Sequence, residues 1–216
     1  MLKRTFDFAV SFVGLMITLP AFLAIAAAIK LSSPGPVFYR GLRVGLNGRR
    51  FRMFKFRTMI VGADTIGGPS TASTDPRITP VGRFLRRHKL DELPQFINVF
   101  LGEMSLVGPR PEVPQYVALY TDSEREILSV RPGITDWATL WNPDEGAVLA
   151  LATDAKRAYL EVIRPQKIRW QLEYVRRRTF WVDLRILLST ARVVVLRRPA
   201  KAFEAMRGTP KAKELT

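Results

Sequence analysis

Lys89-Leu90-Asp91-Glu92-Leu93-Pro94-Gln95 sets two adjacent carboxylates between a run of cations and an apolar pattern of helical spacing. Downstream, Leu93, Phe96, Ile97, Phe100 and Leu101 recur at three- and four-residue steps, which predicts a helix with one side against a core. Pro94 fits its first turn, where a missing N–H is tolerated, and Gly102 is the natural stop. Asp91 and Glu92 then stand at the start of that helix. The positive end of the helix dipole, with Arg83, Arg86, Arg87 and Lys89 just upstream, favours ionised carboxylates and attracts anionic ligands. Neighbours on a helix are rotated by roughly 100°. The two carboxylates therefore suit different tasks, such as one nucleophile and one metal ligand. Acidic residues in a first turn also commonly do no more than complement the dipole, so the pair takes its meaning from the rest of the chain.

The chain has 216 residues, 47% of them hydrophobic, enough to bury the core of one domain or two small ones. Thirty-four Lys and Arg against 19 Asp and Glu give a net charge of +15. That excess points to a polyanionic partner: nucleic acid, an acidic membrane surface or a phosphorylated substrate. The absence of cysteine excludes disulfides, thiolate zinc sites and a cysteine nucleophile, and one histidine, His88, leaves little for an all-protein transition-metal site. A hard cation held by carboxylates remains compatible with the composition.

Residues 8–29 carry no charge over 22 positions, about 33 Å as a straight helix and enough for a hydrocarbon core of about 30 Å. Leu19-Pro20 divides them into arms of 12 and 10 residues. Each arm reaches only about the bilayer midplane, so a re-entrant hairpin and a kinked spanning helix are both compatible with the length. Lys3 and Arg4 at one end and Lys30 at the other give no direction for crossing.

Beyond the turn-rich exit Lys30 to Pro36, residues 37–40 and 51–57 read as strands around an Asn47-Gly48 turn, with Lys55 and Arg57 on one face. Residues 62–77 form a long polar stretch of the kind that often serves as a lid. Gly108-Pro109-Arg110-Pro111 and Arg131-Pro132-Gly133-Ile134-Thr135 each set an arginine beside prolines that fix the backbone. A guanidinium so held can donate two hydrogen bonds to a phosphate. Residues 113–128 and 147–174 have helical composition. Phe180–Leu196, apolar but carrying Asp183, Arg185 and Arg192, reads as an amphipathic interfacial helix or as a helix packed into the core.

In this order the segments resemble the bacterial sugar transferases, the monotopic phosphoglycosyl transferases. The resemblance rests on the proline-broken apolar segment, Phe54-Lys55-Phe56-Arg57-Thr58-Met59, Gly82-Arg83 through Gln95 to Asn98-Val99, Ser105 through Pro111-Glu112, and Arg131 to Thr135. It covers nearly the whole chain, to about Val195. It implies an α+β, mainly helical chain: a re-entrant membrane helix-hairpin and exit turn over residues 1–36, and a catalytic domain over residues 37–198. A basic tail would follow over residues 199–216. That domain would hold a short β-hairpin and interfacial amphipathic helices, and lie on the cytosolic face of the bacterial inner membrane.

The resemblance further implies transfer of a sugar 1-phosphate from a nucleoside diphosphate sugar, usually a UDP-sugar, to polyprenol phosphate. Asp91 would be the nucleophile that forms a covalent intermediate, and Glu92, with Asp91, would hold Mg2+. Lys55, Arg57, Arg83, Arg86, Arg110 and Arg131 are the candidates for the two phosphates. The partners are then these two substrates and a phospholipid membrane, with no nucleic acid, and with homo-oligomerisation left open.

The chain departs from the family at three places. Leu19 replaces the usual serine before Pro20, with Thr18 available to bond backwards to a freed carbonyl. Lys89 replaces a small hydroxyl residue. Asp136 to Gly146 stands where many members continue with glycine and an Ala-Gln-Val-Asn-Gly stretch, and is expected to contact nucleotide or sugar. A membrane-tethered basic scaffold binding nucleic acid or lipid is the alternative; it would explain the charge but has no use for the acidic pair.

Overall fold

The computed structural model describes residues 2–68 and 71–196, so the basic tail expected over residues 199–216 lies outside the described residues. In chain order the elements are the long helix α1 (Leu2–Ser32), the strands β1 (Phe38–Val44) and β2 (Arg50–Phe56), and the helices α2 (Ala63–Ile66) and α3 (Pro80–Arg87). A 3₁₀ turn (Leu90–Glu92) leads into α4 (Gln95–Leu101), β3 (Ser105–Val107), α5 (Pro114–Val117) and β4 (Gly133–Thr135). The helices α6 (Trp137–Trp141), α7 (Glu145–Leu149), α8 (Ala155–Ala158), α9 (Arg164–Arg177) and α10 (Phe180–Leu196) complete the described chain. The architecture is mainly helical, with two small two-stranded sheets among the described residues.

The hairpin forms around Asn47 and Gly48, which take positive φ of 53° and 77°, as an Asn-Gly turn favours. β1 runs further than the sequence suggested, because pairing with β2 continues from Phe38↔Phe56 to Val44↔Arg50. Its sheet packs on a core of Met53, Val99, Met104, Val107, Tyr174 and Ile186.

α1 stays helical through Leu19 and Pro20, so residues 8–29 are one helix rather than two separate arms. Thr18 Oγ1 donates to Gly14 O at 2.6 Å. The carbonyl that loses its donor to Pro20 belongs to Met16, so the bond from Thr18 meets a carbonyl two residues before it instead. α1 is long and apolar enough to cross a membrane. Both of its ends nevertheless rest on the same domain. Near the N-terminus Phe8 stacks on Phe100 at 4.7 Å, and Asp7 accepts from Ser105 Oγ at 2.8 Å. Toward the C-terminus Phe22 meets the Phe56 ring at 4.9 Å, and Ile29 joins a buried cluster with Phe56 and Leu85.

Two sequence readings are corrected. The apolar face of α4 is divided: Phe96 packs against the core and Leu93 against Phe56 and Leu85, while Phe100 turns to α1 and Leu101 is exposed, and Gln95, Asn98 and Val99 are the buried residues of the helix. The reason is that α4 lies between the domain and α1, and α1 supplies the apolar partner. Residues 113–128 form only α5 and a 3₁₀ segment (Glu124–Ser129) instead of a helix. α10, read from sequence as interfacial or as packed into the core, buries one face, with Ile186 in the core and Asp183 bonded to Lys3 and to Tyr174, while Trp181 and Leu188 stay exposed.

β3 and β4 pair in parallel, Ser105 opposite Gly133 and Val107 opposite Thr135. A Cβ on Gly133 would come within 2.1 Å of Gly108 N, which leaves no room for any side chain. Gly133→Ala should therefore destabilise the fold by about 1–3 kcal/mol or more, read as a lowered urea midpoint with an unchanged slope.

Candidate active site

Three segments distant in sequence meet at Asp91 and Glu92. The first device is a change of chain direction. Thr79 caps α3, accepting from Gly82 N at 2.9 Å, and Pro80 opens the helix. Gly82 lets α3 lie against the Thr58 carbonyl, where a Cβ would approach to 2.0 Å. α3 ends at His88, and Lys89 then takes a left-handed φ of 57°, rare for a residue other than glycine. That reversal starts the 3₁₀ turn Leu90–Glu92. The carboxylates sit in this turn ahead of α4, not in its first helical turn as the spacing suggested, and Pro94 is the residue that precedes the helix.

The second device is Asn98, whose amide does the work of a neighbouring strand. Its Oδ1 accepts from Phe54 N at 2.8 Å and its Nδ2 donates to Arg52 O at 3.0 Å. This ties β2 to α4, and Lys55, the next residue along, reaches Glu92 Oε1 at 2.8 Å. The third is the loop after β3. Gly108 N donates to Thr135 O and Gly133 N to Pro109 O, both at 3.0 Å, and Gln171 Nε2 holds the Arg110 carbonyl at 3.3 Å. Arg110 then grips Glu92 with two nitrogens, Nη1 to Oε2 at 3.1 Å and Nη2 to Oε1.

The two carboxylates thus have different surroundings. Glu92 is held by a bidentate arginine and a lysine. Burial alone would raise its carboxyl, but Arg110 and Lys55 hold it well below the usual carboxylate range. Asp91 is 6% exposed and accepts no hydrogen bond among the described residues; its nearest cation is Lys55 Nζ at 3.8 Å. Burial pushes its carboxyl up, and the neighbouring Glu92 charge adds to the rise while Lys55 opposes it. Burial lowers Lys55 and Arg86, and the Arg86 guanidinium, bonded to Thr58 Oγ1 at 2.9 Å, lies close enough to feel Asp91. The arrangement offers one locked carboxylate and one unengaged carboxylate under a set of cations, suited to a phosphate or diphosphate ligand.

The structure brings together Lys55, Arg86 and Arg110 from the predicted set, and places the other three elsewhere. Arg57 is buried and donates to Ser33 O at 2.8 Å and to Pro34 O, closing the exit of α1. Arg131 donates to Gly102 O at 3.0 Å, at the far end of α4 from the acidic pair. Arg83 is exposed on α3. No cluster of three or more acidic, histidine or cysteine ligands occurs among the described residues. Two carboxylates fit a Mg2+ ion that takes its remaining ligands from substrate phosphates and water, and they do not fit an all-protein cage.

Sequence reasoning missed Asn98, Gln171 and the ion pair behind Arg110. A polar residue inside the apolar run 93–101 was the available sign of Asn98. Glu112, two residues after Arg110, is 2.5 Å from Lys167 Nζ and accepts from Tyr159 OH at 2.6 Å. Nothing in the spacing of residues 112, 159 and 167 announces that contact.

A family model described as bacterial sugar transferase matches residues 1–197. A UDP-glucose:undecaprenyl-phosphate glucose-1-phosphate transferase of Xanthomonas campestris pv. campestris is 44% identical over 88% of this chain and 38% of that protein. A UDP-N-acetylgalactosamine-undecaprenyl-phosphate N-acetylgalactosaminephosphotransferase of Aeromonas hydrophila is 36% identical over 90% of this chain and 44% of that protein. The chain therefore spans less than half the length of either. The exopolysaccharide production protein ExoY of Rhizobium meliloti (strain 1021) is 35% identical over 92% of this chain and 87% of that protein.

The pair behind Arg110 makes the first test. Burial alone would raise Glu112, but Lys167 holds it below its ordinary value of 4.5, and Lys167 is raised well above its own despite burial, chiefly by Glu112. Glu112 therefore adds stability that is full above its unfolded value and is lost as pH falls through its lower folded value; Lys167 adds stability lost only as pH rises past the ordinary lysine range. Glu112→Gln removes the nearer of the two carboxylates of Lys167 and leaves Glu145 at 3.4 Å, so it should cost about 1–3 kcal/mol at pH 7. Between about pH 5 and pH 3 the urea midpoint of the wild type should fall more steeply than that of the variant.

Proposed function

The chain belongs to the bacterial sugar transferase family, and we propose that it transfers a sugar 1-phosphate from a nucleoside diphosphate sugar to a polyprenol phosphate. The names of the relatives support a UDP-sugar as donor, undecaprenyl phosphate as acceptor, and a place in exopolysaccharide assembly. The observation that carries the reading is the difference within the acidic pair: Glu92 is held by Lys55 and Arg110, and Asp91 is buried and accepts no hydrogen bond from the described residues.

Asp91 is the nucleophile. Its carboxylate oxygen attacks the phosphorus that carries the sugar, the bond from that phosphorus to the bridging oxygen breaks, and nucleoside monophosphate leaves with the electron pair. The acyl phosphate on Asp91 is then attacked by an oxygen of the polyprenol phosphate, which restores the carboxylate, so the transfer is two displacements. Asp91 accepts no hydrogen bond from the described residues, so no protein donor among them ties its oxygen before attack. Lys55, Arg86 and Arg110 offset the charge of an anion approaching an anion, and Arg110 and Lys55 also keep Glu92 ionised and fixed in direction. Asp91 and Glu92, with oxygens of the donor diphosphate, would hold Mg2+. The ion would supply further neutralisation of the diphosphate.

The contacts of α1 support a re-entrant seat in the membrane. A helix whose two ends rest on one domain has both ends on one side of the bilayer. Its middle leaves Ile17 73% and Leu23 66% exposed, suited to lipid. The catalytic domain then sits at the cytosolic face of the inner membrane, where the soluble donor meets the phosphate of a lipid whose tail stays in the hydrocarbon.

Intact-protein mass measured after incubation with Mg2+ and a panel of UDP-sugars, without polyprenol phosphate, should gain one sugar phosphate in the wild type and none in Asp91→Asn. Release of nucleoside monophosphate on adding acceptor, with no adduct under any donor, would replace the covalent route with direct transfer. Asp91→Asn should also raise the melting temperature, since it removes a buried carboxylate whose ionisation burial opposes.

A further inference from the structure

Lys55, Arg86, Arg110 and Lys89 each lie close enough to Asp91 to interact with its charge. Three of these cations are already engaged. Lys55 donates to Glu92 at 2.8 Å, Arg86 to Thr58 Oγ1 at 2.9 Å, and Arg110 to both oxygens of Glu92. The Lys89 ammonium donates no hydrogen bond to the described residues. Its Nζ lies 3.9 Å from Asp144 Oδ1, with the two side chains 42% and 56% exposed. An ion pair that long and that exposed is held weakly.

The turn that carries Lys89 also has two sides. Leu90 and Leu93 pack with Leu85 in the cluster of Phe56 and Ile29, against α1. Lys89, left-handed at φ 57°, reaches instead to Asp144 at the start of α7. Asp144 is itself fixed, since it caps α7 by accepting from Ala147 N at 3.2 Å. Val148 and Leu149 of α7 pack with Tyr116, Ala158 and Tyr159 in a cluster that holds no residue of α1. Lys89 thus serves the side of the acidic pair away from the apolar helix, where a water-soluble substrate approaches.

Resting on the transferase reading, we propose that Lys89 is a further catalytic residue, whose ammonium leaves Asp144 and pairs with the diphosphate of the donor. Among the four cations it alone can move to the ligand without giving up a hydrogen bond, and its flexible stem permits the movement. When the bond to the bridging oxygen breaks, the phosphate kept by the nucleotide gains negative charge, and the ammonium beside it stabilises that charge. The small hydroxyl residue that relatives often carry at this position supplies no charge there.

The test uses the full chain in phospholipid nanodiscs with Mg2+. Calorimetry with UDP, the part shared by the candidate donors, compares wild type with Lys89→Asn, Lys89→Arg and Asp144→Asn. Asparagine tolerates the left-handed backbone at 89 and can still cap α7 at 144, so each change removes a charge and keeps the local fold. Lys89→Asn should weaken UDP binding about tenfold, Lys89→Arg should restore most of the loss, and Asp144→Asn should tighten binding about threefold. In turnover, Lys89→Asn should lower kcat/KM for the UDP-sugar by a similar factor and leave kcat/KM for polyprenol phosphate unchanged, because the two displacements are separate. Equal UDP affinity in wild type and Lys89→Asn, a loss in kcat/KM for polyprenol phosphate instead, or weaker UDP binding in Asp144→Asn would each overturn the inference while the transferase reading stands. A wild type that neither binds UDP nor turns over any UDP-sugar would overturn both.

Discussion

An ionised carboxylate drawn largely out of water needs cations beside it, and Glu92, with a side chain only 21% exposed, has two. Its two partners, Lys55 and Arg110, come from β2 and from the loop after β3, so meeting its charge forces those segments and the 3₁₀ turn into one place. Each partner is in turn held by its backbone: Lys55 through the bonds of Asn98 to β2, and Arg110 through the β3 and β4 pairing and the hold of Gln171 on its carbonyl. Asp91, the adjacent residue, is left without a donor. The fold secures one carboxylate fully and leaves the other costly, as a site of reaction requires and as stability alone would not select.

The second organising feature is the sandwich of α4 between α1 and the domain. Phe8 and Phe12 of α1 meet Phe100, Gly14 lets the chain lie near Phe96, and Arg4 takes the Val99 and Phe100 carbonyls. With Arg131 on Gly102, two arginines occupy the carbonyl end of α4, where the helix dipole favours cations. The acidic pair lies at the other end. A helix that carries the site at one end and is clamped to the apolar anchor at the other links the position of the site to the seat of α1. Contacts with the domain are also made at both ends of α1, although Lys30 itself is exposed. Lys3 and Arg4 serve contacts with the domain, and Arg57 draws the exit turn onto the end of β2.

The sequence by itself determined the apolar helix, the hairpin, the stop at Gly102, the acidic pair and the arginine of Gly108-Pro109-Arg110-Pro111. These are local signals: uninterrupted hydropathy, an Asn-Gly turn, and residue types that only a few conformations or tasks can use. It did not separate Lys55 from Arg57, because a period of two places both on one face, and only the end of β2 at Phe56 sends Arg57 to the α1 exit instead. It did not separate Arg110 from Arg131 either, since both stand beside prolines and glycine. Tertiary structure alone decided which arginine reaches Glu92, which face of α4 is buried, and that Asn98 substitutes for a strand. Those outcomes depend on which segments lie alongside each other. A residue's own neighbours in the chain carry no record of a partner 44 to 46 positions away.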